Sequence, residues 1–231
     1  MGWTAIKADI RNRLGEPIPG YWSNAELQAW YNEGVALQHR MAYQAVLGLE
    51  DRAFAELYEN DYFSTFVARS SVQTTSAGTA DYAVPTGFWR MARLVLVVAS
   101  VERPCDFSPF ADDWDVKNLP HKAPSPSRPK YTITPDKKIR FYVTPGNATV
   151  PNATMSYYVY MVKKPATVDI ETGAQDTEVL DPFNAAPMAW TCYRAMAKQY
   201  DSGDTYRKEF EDLVASIVPG PSKETAERKR A

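Results

Sequence analysis

The chain has 231 residues, and its 26 Lys and Arg against 28 Asp and Glu give a formal net charge of -2. That balance argues against a protein whose main surface wraps duplex DNA, while leaving room for local basic patches. The length can bury a sizeable core, as one large domain or as a helical body carrying a β insertion.

The first residues, Met1-Gly2-Trp3-Thr4-Ala5-Ile6-Lys7, lack the apolar core of a signal peptide. No apolar run approaches the roughly 18 to 20 residues of a membrane span, so the expectation is a soluble chain made in a cytoplasm. Trp3, Ile6, Ile10 and Leu14 mark one face of a first helix, which Gly15 and then Pro17 are placed to stop. A short Pro17-Ile18-Pro19-Gly20 connection favours an antiparallel pairing with the helix that follows.

That second helix carries the clearest local signal. Ser23 can cap the amide of Glu26 while Glu26 reaches back to the amide of Ser23, and Trp22 precedes the cap as the partner of Leu27 in a hydrophobic staple. Beyond it, Leu27, Trp30, Tyr31, Gly34, Leu37, Met41 and Ala45 recur at three- and four-residue spacing. One face of a helix of about six turns is therefore apolar or small. Asp51 to Tyr58 suggests a further short helix.

From Asp61 the sequence reads as β. Tyr62, Phe63, Phe66, Val67 and Val72 are strand formers, Ser76 to Thr79 a turn, and Asp81 to Val84 a strand stopped by Pro85. Met91 to Val98 fits a strand buried on both faces. Six prolines from Pro104 to Pro129 then exclude a regular central element from that stretch, which reads as a long loop. Lys130 to Thr134 and Ile139 to Val143 flank a turn, with Ile139, Phe141 and Val143 expected inside and Arg140 and Tyr142 on the wetter face. Thr154 to Val162 is read as the partner strand.

The last third returns to helix. Asn184 is the expected cap of a helix with Pro187 in its first turn and a stripe of Ala186, Ala189, Trp190, Tyr193, Ala197 and Tyr200. Asp204 is the expected cap of the next, which carries Tyr206, Phe210, Leu213, Val214 and Ile217 and ends at Pro219-Gly220-Pro221. Ser222 to Ala231 has no large apolar residue and should be disordered in the isolated chain.

The fold expected is α+β: a helical bundle of about four main helices, two N-terminal and two C-terminal, with an inserted antiparallel β domain of about five strands. Residues 1–60 and 166–221 would form the helical body, 61–165 the β domain with its loop at 104–129, and 222–231 a flexible tail.

Chemical motifs are sparse. His39 and His121 have no cysteine or second histidine at ligand spacing, and no nucleophile elbow or phosphate-binding glycine loop is present, so neither a zinc site nor a cofactor is expected. Asp112, Asp113 and Asp115 lack the calcium-loop pattern. Glu26 and Glu33 are the nominal pair for glycoside cleavage, although Glu26 already has a capping role. Tyr157, Tyr158 and Tyr160 alternate along a strand and could present one or two rings for stacking, with core packing as the simpler role. Cys105 and Cys192 are too few for a disulfide framework and read as reduced.

Three segments, in order, resemble the head-to-tail adaptor proteins of tailed bacteriophages, of the type found below the portal in short-tailed phages. Tyr21-Trp22-Ser23-Asn24-Ala25-Glu26-Leu27-Gln28-Ala29-Trp30-Tyr31-Asn32-Glu33-Gly34 is similar to a "(Y/W)-S-D-A-E-L-L-x-W-L-N-E-A" pattern, with Gly34 where alanine is commoner. Asp81 to Arg90 resembles "Y-x-L-P-x-D-F-x-R". Pro129 to Ile133 with Ile139 to Pro145 resembles the later "P-x-x-Y-x-I" and "I-x-F-x-P-x-P" hairpin.

The resemblance implies a structural virion protein of the neck, not an enzyme: a dodecameric ring beneath the portal that extends the DNA channel and offers a platform to downstream tail or nozzle proteins. Its partners would be the portal, the tail proteins, further copies of itself, and genomic DNA passing without sequence-specific binding; no membrane is implied. The tail from Ser222 would bind the portal through Lys223, Arg228, Lys229 and Arg230, and Trp30, Tyr31, Glu33 and Leu37 would meet neighbouring subunits. A peptidoglycan-cleaving tail accessory protein, with Glu33 as its acid, is the alternative.

Overall fold

A computed structural model describes residues 2–16, 20–48, 53–98, 100–109, 111, 124–125, 127–142, 155–168, 179, 181–199 and 202–218. The chain divides into two compact units, one formed by Met1–Phe66 with Pro165–Ala231 and the other by Val67–Lys164. The first is helical and the second β, so the chain is mixed helix and sheet, as expected.

In the helical unit, α1 (Trp3–Arg13) buries Trp3, Ile6 and Ile10 and ends at Gly15, whose φ of +69° suits a residue without Cβ. Next, α2 (Asn24–Leu47) opens on the expected capping box, with both reciprocal bonds between Ser23 and Glu26 in place. The two helices run antiparallel: the Trp3 and Tyr31 rings lie 5.5 Å apart, and Arg11 Nη2 donates to Asn24 Oδ1 at 2.8 Å. Arg11 is buried and also donates to Trp22 O and to Glu16, pinning the connection.

After α3 (Ala53–Glu59) comes a correction. Asp61–Ser64 is a helical turn, α4, capped by Asn60, whose Oδ1 accepts from the amides of Tyr62 and Phe63. Tyr62, Phe63 and Phe66 have strand propensity but are fully buried around His39, with ring centroids 5.8, 5.6 and 4.7 Å from its imidazole. Tertiary burial outweighs propensity here, and the first strand begins only at Val67.

The C-terminal pair are α5 (Ala185–Lys198) and α6 (Asp204–Ile217). Two expected caps are corrected. Asn184 holds the cap position of α5 but makes no capping bond, because its side chain is spent elsewhere in the core. Asp204 is the first residue of α6, whose cap is Gly203 at φ +58°, where an added Cβ would lie 3.2 Å from Tyr193 and Met196. The buried face of α5 is wider than the expected stripe, taking in Pro187, Met188, Thr191, Cys192 and Ala195 and leaving Ala197 exposed, since α5 packs on α1, α2 and α6. Tyr200 lies outside the described residues.

The β unit is a two-sheet sandwich. One sheet runs β1 (Val67–Arg69), β9 (Ser156–Lys163), β4 (Phe88–Val98), β5 (Val101–Pro104), with β2 (Gln73–Thr74) also on β9. The other runs β3 (Asp81–Ala83), β8 (Lys138–Tyr142), β7 (Lys130–Ile133), β6 (Asp106–Phe107). Among the described residues all strand pairings are antiparallel except β6 with β7. The expected antiparallel β domain is present, divided among the described residues into sheets of five and four strands, and one pairing is corrected: β9 pairs with β4 instead of with the β7–β8 hairpin. The physical reason is the shared core. Leu94, Leu96, Tyr157, Val159 and Met161 from one sheet meet Tyr131, Ile139 and Phe141 from the other, burying one face of each.

Within that sandwich Ile139 and Phe141 face inward as expected, Arg140 is half-buried, and Tyr142 is buried. Val143 lies outside the described residues. Pro104 ends β5 on the sheet edge, where a missing amide costs no ladder bond. Most of the expected loop at 104–129 also lies outside the described residues, as do His121 and Asp112, Asp113 and Asp115.

Candidate assembly surfaces

The antiparallel seam between α2 and α5 organises the helical unit. At its centre Gly34 lets the helices touch: an added Cβ would sit 3.0 Å from Pro187 Cα, 3.1 Å from Trp190 Cβ and 3.2 Å from Pro187 O. Two ion pairs follow the contact toward the N-terminus of α2. Arg194 Nη1 donates to both oxygens of Glu33 at 2.6 and 2.9 Å, and Lys198 Nζ donates to Glu26 Oε1 at 2.6 Å. The Lys198 bond, then those from the amide and hydroxyl of Ser23, hold the Glu26 carboxyl down at about 2. Glu26 is therefore ionised at neutral pH and cannot serve as a general acid. Neither Arg194 nor Lys198 carries a local sign of this role, because the pairs join residues 161 and 172 positions apart along the chain.

The four subunit-interface candidates separate by burial. Tyr31 is fully buried, its hydroxyl donating to Asn184 Oδ1 at 2.5 Å. Leu37 is half-buried against the cluster of Ala186, Ala189, Phe210 and Val214. Trp30 is half-buried, and Glu33 is exposed in its pair with Arg194. Surface thus remains at Trp30, Glu33 and Leu37, whereas Tyr31 acts from inside. Lys223, Arg228, Lys229 and Arg230 lie outside the described residues.

The remaining candidates for chemistry are structural. His39 Nδ1 lies 3.3 Å from the Tyr62 hydroxyl within the aromatic nest. Burial pushes the thiols of Cys105 and Cys192 up to about 12, which keeps both in the unreactive protonated form. Tyr157 faces the inter-sheet core, and Tyr158 is buried beneath the Arg69 guanidinium, 3.8 Å above its ring. Tyr160, half-buried, is the one of these three rings left partly open. Among the described residues no three His, Cys, Asp or Glu side chains gather as metal ligands, and no helix is long and apolar enough to cross a membrane.

The segments singled out by resemblance fall on the start of α2, on β3 with the turn into β4, and on the β7–β8 hairpin. The class they define is the bacteriophage head-to-tail adaptor, a structural protein of the virion neck. The chain belongs to the SU10 adaptor protein family, whose model matches residues 1–230. No curated protein matches it. Membership in an adaptor family implies self-association and interaction with portal and tail proteins.

Proposed function

We propose that the chain assembles as a dodecameric ring beneath the portal, extends the DNA channel, and forms the platform on which later tail proteins dock, with no catalytic step of its own. The observation that carries this reading is the match of nearly the entire chain, residues 1–230, to an adaptor family. In support, α2 is anchored along its length by the seam with α5, so that Trp30, Glu33 and Leu37 are held on a rigid element where a neighbouring subunit can meet them. The tail from Ser222 to Ala231 binds the portal, with Lys223, Arg228, Lys229 and Arg230 pairing to acidic grooves as it orders.

Single-particle imaging of the protein mixed with its portal tests the reading. The expected result is a twelvefold ring on the portal's tail-facing end; particles of bare portal at saturating adaptor would refute it.

A further inference from the structure

The near-neutral net charge conceals a division. The β unit, Val67–Lys164, holds 13 Lys and Arg against 7 Asp and Glu, a net of +6, while the helical unit holds 13 against 21, a net of -8. Both surpluses have free charges at the surface.

In the β unit, Val67, Val162 and Arg90 pair in register across β1, β9 and β4, and Arg69 pairs with Tyr160. Their neighbours Ala68 and Met91 pack into the inter-sheet core, so alternation along the strands places Arg69 and Arg90 together on the outer face. Both are exposed. Each guanidinium sits over an aromatic ring, Arg69 on Tyr158 at 3.8 Å and Arg90 near Trp89 at 5.4 Å, and neither forms an ion pair with a described carboxylate, Glu102 being hydrogen-bonded to the hydroxyl of the Tyr158 ring that Arg69 covers. Aromatic stacking fixes the head groups without neutralising them. Lys164, also exposed, follows β9 at the Arg90 end.

In the helical unit, α3 and α4 carry Glu56, Glu59 and Asp61 and no cation from Ala53 to Ser64. Glu59 and Asp61 are exposed, and neither has a cationic partner among the described residues. A chain that leaves both sets exposed and unpaired has two complementary surfaces of different kind, which is what a head-to-tail contact between identical subunits requires.

We propose that the basic outer face of the β unit, through Arg69 and Arg90, docks on the acidic α3–α4 surface at Glu59 and Asp61 of the next copy. The inference rests on the ring reading above and supplies its contact surfaces. Because complementary potentials steer encounter and like charges oppose it, the contact sets both the rate and the direction of ring closure.

A charge-swap experiment on the full chain tests it, with ring formation on the portal counted by imaging and DNA binding followed with a labelled duplex. Arg69→Glu/Arg90→Glu and Glu59→Lys/Asp61→Lys, each alone, should lower the yield of rings about tenfold or more. Mixed in equal amounts they should restore it, since each variant then meets its complement in an alternating ring. Restoration also shows that both variants fold. Full ring yield from either variant alone, or no restoration in the mixture, overturns the proposal. So does loss of duplex binding with rings intact, which would assign the arginines to nucleic acid. Wild-type chain that never forms rings overturns the ring reading as well, an outcome distinct from the others.

Discussion

The Tyr31 hydroxyl donates to Asn184 Oδ1 at 2.5 Å between two fully buried side chains, and Asn184 Nδ2 in turn donates to Val179 O. This pair joins the second helix of the chain to the start of the fifth across 153 residues. Tyr31→Phe removes the donor and keeps the ring. It should cost about 1–3 kcal/mol, the usual penalty for leaving a buried acceptor without its partner. The urea midpoint of unfolding should fall with no change in slope. Ring yield on the portal should stay at the wild-type level, because Tyr31 offers no surface to a neighbour.

At Gly34 the two helices of the seam are in close contact. Gly34→Ala would gain about 1 kcal/mol in helix propensity. The new methyl, however, would stand 3.0 Å from a backbone atom of α5, Pro187 Cα, which cannot rotate away as a side chain could. Overpacking of this kind typically costs about 1–3 kcal/mol, so the net effect should be destabilising, read as a lower melting temperature. An unchanged or raised melting temperature would mean that the seam has room to open.

What the sequence revealed divides along local and non-local lines. The cap of α2 was legible because Ser23, Glu26, Trp22 and Leu27 lie within six residues of one another. So was the inward face of the β7–β8 hairpin, where alternation at Ile139 and Phe141 carries the signal. The partnership of β9 was not, because Tyr157, Val159 and Met161 alternate in the same way whether they pair with β8 or with β4. Only the sandwich core decides between them. Asn184 misled for a related reason: its type and place fit a cap, yet the hydroxyl of Tyr31, far away in sequence, takes up its acceptor. The apolar stripe of α2 was visible in the spacing, but its division into buried Tyr31 and half-buried Trp30 needed the position of α5.

Glu26 links the cap to pH. Its carboxyl titrates at about 2 in the folded chain against 4.5 as the ordinary value, chiefly through Lys198 and then Ser23. The folded state therefore binds fewer protons than the unfolded chain between those limits. The stabilisation is complete above about pH 4.5 and is lost as pH falls toward about 2. Because Glu26 and Lys198 are both partly exposed, solvent screening holds the contribution below about 1 kcal/mol. Lys198→Ala should accordingly flatten part of the acid limb when urea midpoints at about pH 6 and about pH 3 are compared. A limb of unaltered steepness would place the acid sensitivity in other carboxylates.

The tail gives the sharpest separation between folding and assembly. Ser222 to Ala231 carries Lys223, Arg228, Lys229 and Arg230 against Glu224 and Glu227, a side-chain charge of 4 - 2 = +2, and no large apolar residue that could be missed by the core. Deleting it should leave stability within about 0.5 kcal/mol of wild type, because no large apolar side chain is removed, while abolishing capture by immobilised portal. Replacing only the four cations with glutamine should weaken capture in the same direction and reduce its salt dependence, because each removed charge takes away a pairing that salt screens. Portal capture that survives the deletion would move the docking surface onto the folded units.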